Sequence, residues 1–186
     1  MTTIVLGKDD FPGTMELRGK SELTFVAPKG WSGTLDLRVD LVESGAELDL
    51  AAMYLAQEGD EQHFKVLVRH LVPGCRSHQD LRGVISGKAS FEGLIHVAKG
   101  AGQTEAYQEN HTILLSDKAS VDTSPQLEIY ADDVKCSHGA TSGRLDEEAF
   151  FYMRSRGIPE SEARELQILS FLSPVLSRIE EGQKYL

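Results

Sequence analysis

The sequence predicts a mainly β protein: a right-handed parallel β-helix, a single-stranded solenoid, that passes into a short C-terminal α-helical segment. Three observations carry this. From about Trp31 to Tyr130, short runs alternate apolar and polar residues, and a period of two marks strands with one buried face. Between the runs lie similar turn units that place Gly or Asp at positions 45, 74, 87, 100 and 117, with separations of 29, 13, 13 and 17 residues. After Gly143 the apolar period lengthens to that of a helix.

The predicted strands, in order, include Thr34 to Val42, Glu47 to Ala51, His63 to Val72, Asp80 to Ile85 and Phe91 to Val97. A half-turn near 13 residues suits a stacked solenoid, because each rung buries its apolar face only against its neighbours. The first gap is one punctuation point short. An antiparallel sandwich also produces short strands and frequent turns, so periodicity alone leaves that alternative open. The first thirty residues are interrupted by Gly7, Pro12, Gly13 and Gly19, and Phe25, Val26 and Trp31 are read as a first rung or cap. Residues 1–143 are thus taken as the β-helix core with its N-terminal cap, and 144–186 as the helical segment.

In the second part, Leu145, Ala149, Tyr152 and Met153 fall at helical spacing, Asp146 to Glu148 suit a positive helix start, and Gly157 is placed as a C-terminal cap. A second helix starts near Pro159, and Pro174 is expected to kink or break it before Val175.

Composition narrows the function. Nineteen Lys plus Arg stand against 29 Asp plus Glu, a formal net charge of −10, so nucleic acid and anionic membrane surfaces are not expected partners. The opening residues carry no basic leader with a long apolar core, and no apolar run is long enough to span a bilayer. A cytoplasmic protein is expected, with Cys75 and Cys136 as thiols. Two cysteines cannot supply a four-thiolate site, so other side chains or a second chain must complete any metal shell.

Cys136 and His138 stand two apart in the string K-C-S-H-G-A-T. In an extended strand they share a face, and a thiolate beside an imidazole is a ligand pair for iron or zinc. The segment from Pro125 to Gly157, PQLEIYADDVKCSHGATSGRLDEEAFFYMRSRG, resembles the C-terminal signature of the SufB/SufD proteins of iron–sulfur cluster assembly, the SufD type more closely. The resemblance continues weakly upstream to about Trp31. It implies a parallel β-helix core followed by helices, in the order read here, and weighs against the sandwich.

The resemblance also implies roles. The matching histidine of SufD-type proteins lies at the contact with a SufB-type partner and is implicated in cluster assembly, which makes His138, and more weakly Cys136, candidate iron or cluster ligands at a pairing interface. A SufC-like ABC-type ATPase docks on the C-terminal helices in this family, and Phe150, Phe151, Tyr152, Arg154 and Arg156 match the segment leading into that surface. The pairing partner is a SufB-like paralogue or a second copy, giving a homodimer. Iron or a transient iron–sulfur cluster is implied, with no tightly held cofactor. The upstream cysteine of SufB-type members has no clear counterpart, and set against the family the 186 residues are expected to correspond to a short form lacking the N-terminal helical region and several early coils. The expectation is a non-enzymatic assembly subunit, and the rival reading is a structural interaction module without cluster chemistry.

Plainer readings accompany these residues. The K-C-S-H string can serve as a fold signature, with Gly139 and Gly143 shaping the exit from the solenoid and His138 bonding a nearby carbonyl. Cys136 can be a small buried hydrophobe. The trio His70, Cys75 and His78 has metal-like spacing but no second pair, so His70 is read as an inward residue after Phe64, Val66 and Val68, and Cys75 as filling a corner. Acid pairs such as Glu47/Asp49 and Asp132/Asp133 would serve a β-helix carbohydrate enzyme only in an aromatic-lined groove. Aromatics are only 7% of the chain, so these acids are read as solvated. No Walker-type phosphate loop occurs, so the chain is not expected to hydrolyse ATP.

Overall fold

The computed structural model describes residues 2–186 and contains two parallel sheets joined coil by coil. Sheet A holds β1 (Thr2–Val5), β3 (Lys20–Ala27), β5 (Glu47–Tyr54), β7 (Arg76–Ile85), β9 (Glu105–Leu114) and β11 (Lys135–Gly143). Sheet B holds β2 (Thr14–Leu17), β4 (Gly33–Leu41), β6 (Glu61–His70), β8 (Lys88–Val97) and β10 (Ser120–Ile129). Successive strands alternate between the sheets, so the chain winds as a parallel β-solenoid. The sandwich alternative is thereby excluded.

Register explains the turn spacing. Glu47 pairs with Arg76, Arg76 with Glu105 and Glu105 with Lys135, so each coil advances by about 29 residues on a strand spacing near 4.8 Å. The missing punctuation point is the turn before β6, where Gly59 takes φ 96°. The buried Asp60 carboxylate there accepts from the backbone N–H of Gly30 at 2.8 Å and of Gln57 at 3.0 Å. Two strands the spacing did not reveal, β1 and β2, precede Phe25 and Val26, which lie in β3, while Trp31 sits in the following turn.

The rod core is built from period-two alternation. Leu35, Phe64 and Phe91 stack in register along sheet B, as do Val39, Val68 and Ile95, all 5% exposed or less. Each such side chain contributes about 1.5–3 kcal/mol of transfer free energy. On the outer face of sheet A, Lys20, Glu47, Arg76, Glu105 and Lys135 form a column that alternates in sign, with Lys20–Glu47 at 2.8 Å and Lys135–Glu105 at 3.0 Å. These exposed pairs add little stability. A one-coil slip, however, would bring like charges together.

Helix α1 (Glu147–Ser155) is capped by Asp146, whose carboxylate accepts from Glu148 and Ala149, and it ends at Gly157 (φ 86°), where Ile158 N–H bonds Met153 C=O at 3.2 Å. Helix α2 (Glu160–Leu176) lies on the outer face of sheet A, its Leu172 and Val175 packed with Val26, Ala51, Met53 and Val84. Contrary to expectation, Pro174 does not break it: the helix runs on to Leu176. The Ser170 carbonyl that proline leaves without its usual donor accepts from the Ser173 hydroxyl at 2.8 Å. A 3₁₀ turn, Gly182–Tyr185, ends the described chain.

Two buried groups couple this fold to acid. Desolvation holds the fully buried His70 imidazole down at about 4, with one bond to Ser77 Oγ at 2.9 Å. Hydrogen bonds from Arg69, opposed by desolvation and reinforced by Arg38, bring Asp40 down to about 2. Both pKa values lie below those of the unfolded chain, so both contributions are complete above the unfolded values and are lost as pH falls. Stability measured by urea unfolding is expected to decline first between about pH 6.5 and 4 and again between about 4 and 2. His70→Gln should flatten the upper step alone; an unchanged upper step would contradict the assignment.

Candidate functional site

The last coil differs from every other. Paired residues of parallel strands face the same way, so Cys136, His138, Ala140 and Ser142 of β11 continue the inward column above Ala106, Gln108, Asn110 and Thr112 of β9. Opposite them, Val121, Thr123, Pro125, Leu127 and Ile129 of β10 lie above Ala89, Phe91, Gly93, Ile95 and Val97. The lower residues of both columns are buried, whereas those of β10 and β11 are half-buried or exposed. Both strands are sheet edges, and the helices turn back along sheet A without packing into this end. Inward-facing side chains with no coil above them form an uncovered end, with two open strand edges.

Cys136 and His138 sit side by side in this surface. Cys136 is half-buried and packs with Ile95, Val97 and Ala106, while His138 is exposed. Burial pushes the Cys136 thiol up, offset in part by a hydrogen bond from the Ala106 backbone. Lys135 points to the opposite face and pairs with Glu105, so no lysine charge favours the thiolate. A metal cation, or a partner's positive group, would have to supply that bias. Gly139 and Gly143 do not shape an exit turn: both lie within β11, outside the positive-φ set, with open space where a Cβ would stand.

The other predicted residues separate. His70 faces inward and Cys75 is fully buried, its thiol donating to the Glu43 carbonyl at 3.3 Å, while His78 lies outside, 3.5 Å from Asp49. The trio is therefore divided between the inside and the outside of the rod, and Cys75 fills a corner as read. Asp49 also pairs with Arg178 of the helical segment, and Asp132 and Asp133 are exposed turn residues. Among the described residues, no group of three His, Cys, Asp or Glu side chains is placed to hold a metal ion. Cys136 and His138 could offer a metal two side chains at most.

Helix α1 buries none of its residues. Phe151 and Tyr152 are 73% and 58% exposed, Arg156 stacks over the Tyr152 ring at 4.9 Å, and Phe150 is half-buried between Arg154 and Arg164. Four of the five predicted partner-binding residues are thus exposed, although Arg154 also pairs with Glu160 at 3.2 Å, and Phe150 is half-buried.

Spacing motifs did not reveal the buried amides beneath the site. Gln79, Gln108 and Asn110 are fully buried in inward columns whose counterparts in β5 are Leu50 and Ala52. The available signal was a polar residue at inward parity within an otherwise apolar alternation.

The fold and this end surface define a class: a β-solenoid protein whose last coil carries a neighbouring thiol and imidazole on an uncovered edge. Residues 15–171 match the family model described as "SUF system FeS cluster assembly, SufBD core domain", so the chain belongs to that family of iron–sulfur cluster assembly proteins. It is 48% identical to the Escherichia coli iron–sulfur cluster assembly protein SufD over 113 residues, which is 59% of this chain and 27% of that protein. It is 33% identical to Bacillus subtilis SufD over 148 residues, covering 78% of this chain and 34% of the relative. The chloroplastic Arabidopsis thaliana protein ABCI7 is 34% identical over 166 residues, 88% of this chain and 35% of its own length. The chain therefore aligns with roughly a third of these relatives. No helix among the described residues is long and apolar enough to cross a membrane.

Proposed function

We propose that this chain acts as a SufD-type accessory subunit of cluster assembly, without enzymatic turnover of its own, in the cytoplasm. Its uncovered coil pairs with a SufB-like paralogue or a second copy of itself, and its helices dock a SufC-like ABC-type ATPase. Iron or a nascent cluster is cargo, held transiently by Cys136 and His138 together with ligands from the paired chain. The observation that carries this reading is the open column of β10 and β11: inward positions whose counterparts in β8 and β9 are buried stand half-buried or exposed beside the thiol and imidazole.

The chemistry follows from that placement. A second chain laid along β10 and β11 would satisfy their free backbone groups and desolvate Leu127 and Ile129. It would also exclude water from the cargo. Nucleotide-driven movement of the ATPase would reach this interface through α2, which is tied to sheet A by Arg82 donating to the Phe171 carbonyl at 2.9 Å and by the Arg178–Asp49 pair.

Co-expression with the SufC-like ATPase and the SufB-like paralogue tests the docking. The double substitution Phe151→Ser and Tyr152→Ser is expected to reduce ATPase co-purification at least tenfold, as loss of exposed aromatic anchors does. Thermal stability and pairing should be unchanged, because neither ring is buried. Undiminished co-purification would rule out this docking surface.

A further inference from the structure

Gln108 lies directly below His138 in the register of sheet A. It is fully buried, and its Nε2 donates to Gln79 Oε1 at 2.9 Å, which fixes the amide plane. Its Oε1 is buried with no hydrogen-bond partner among the described residues. An unsatisfied buried carbonyl is costly, and native cores rarely keep one without a reason.

The surrounding sequence makes room for this amide. A Cβ on Gly93, across the core in sheet B, would stand 2.2 Å from Gln108 Oε1, so only glycine lets the side chain lie across the rod. In β5 the same column holds Leu50; it turns polar only at Gln79 and Gln108, the two coils beneath His138. Leucine or methionine at both positions would fill the space without any polar cost. Three positions are thus committed to a polar group that the core does not use.

We propose that Gln108 is the positioning residue for His138: its orphan carbonyl oxygen accepts the imidazole N–H when the ring turns down over it. Neighbouring strands are about 4.8 Å apart, within reach of two side chains that share a face. An imidazole that donates through one nitrogen has its tautomer and ring plane set, and the other nitrogen keeps its lone pair for a ligand. Here that nitrogen faces out of the open end, beside Cys136. The ligand role rests on the function proposed above, whereas the tautomer is a property of the chain alone.

The test uses the full chain without metal, labelled with ¹⁵N at histidine. At a pH where His138 is neutral, its two ring-nitrogen shifts report the tautomer ratio. The wild type is expected to hold one tautomer in about tenfold excess, the ratio one buried hydrogen bond supports. Gln108→Met should bring both tautomers to comparable populations in a protein that still unfolds cooperatively in urea, at a lower midpoint because Gln79 Oε1 loses its donor. Gln79→Met, which keeps the carbonyl but removes the anchor of the Gln108 N–H, should give an intermediate ratio. An even tautomer mixture in the wild type, or a ratio unmoved by Gln108→Met in the folded protein, would overturn the proposal. Neither result bears on whether His138 serves cluster maturation, which its own substitution tests.

Discussion

Gly83→Val is expected to lower stability by about 3–5 kcal/mol, enough to remove most of a typical domain's margin. A Cβ at Gly83 would lie 2.0 Å from Cε2 and 2.2 Å from Cζ of the Tyr54 ring in the neighbouring strand. Overpacking of this kind alone costs about 1–3 kcal/mol. The ring has no free direction: it stacks on Phe64 at a centroid distance of 4.9 Å, and its hydroxyl bonds Asn110 Oδ1 at 2.9 Å and Thr112 Oγ1 at 2.5 Å. Displacing it strips those bonds from groups that are already buried, at about 1–3 kcal/mol for an orphaned partner. Urea unfolding measures the loss. Adding Tyr54→Leu to Gly83→Val should recover part of it, because the two changes share one space; a Gly83→Val protein within about 1 kcal/mol of the wild type would show that the ring is not held as described.

How far this rod was legible depends on which residues carried a repeating signal. The strands around Phe64 to Val68 and Phe91 to Val97 were readable because each alternates inward and outward residues over a full strand length. The N-terminal strands were not, since Thr2–Val5 and Thr14–Leu17 are each four residues long, too short for a period to emerge. The turn at Gly59 is held by the Asp60 carboxylate, which accepts from backbone N–H groups of Gln57 in the same turn and of Gly30 a coil away, a contact that spacing along the chain does not show. Pro174 broke the local rule without breaking the helix, because Ser173 supplies a donor to the freed carbonyl and Val175 is anchored in the sheet A cluster.

At the end surface the string from Lys135 to Gly143 placed the strand and the shared face of Cys136 and His138. It did not disclose that Gly139 and Gly143 are ordinary strand residues, nor that burial raises the thiol pKa. Both depend on neighbours from other coils. The amide pair beneath His138 is of the same kind: each glutamine is unremarked in its own strand, and only a register of about 29 residues per coil brings Gln79, Gln108 and His138 into one column.

His138→Ala is expected to leave the rod intact and to remove its contribution to cluster maturation. The ring is exposed in the last coil, so its truncation opens no cavity, and the unfolding free energy should fall by no more than about 1.5 kcal/mol, the worth of the one hydrogen bond proposed to Gln108 Oε1. The functional loss should be far larger. With at most two ligands from this chain, removing one leaves a single thiol whose pKa burial has already raised, and loss of a nitrogen ligand should cost at least the 10–100-fold that weakening its supporting shell costs. The decisive measurement is anaerobic loading with iron and sulfide of this chain co-expressed with a SufB-like paralogue and a SufC-like ATPase, the partners proposed above, read as cluster per complex. The account predicts a loaded wild type, and a His138→Ala complex of unchanged composition with at least tenfold less cluster. Equal loading of the two would show that the open coil does not hold the cargo.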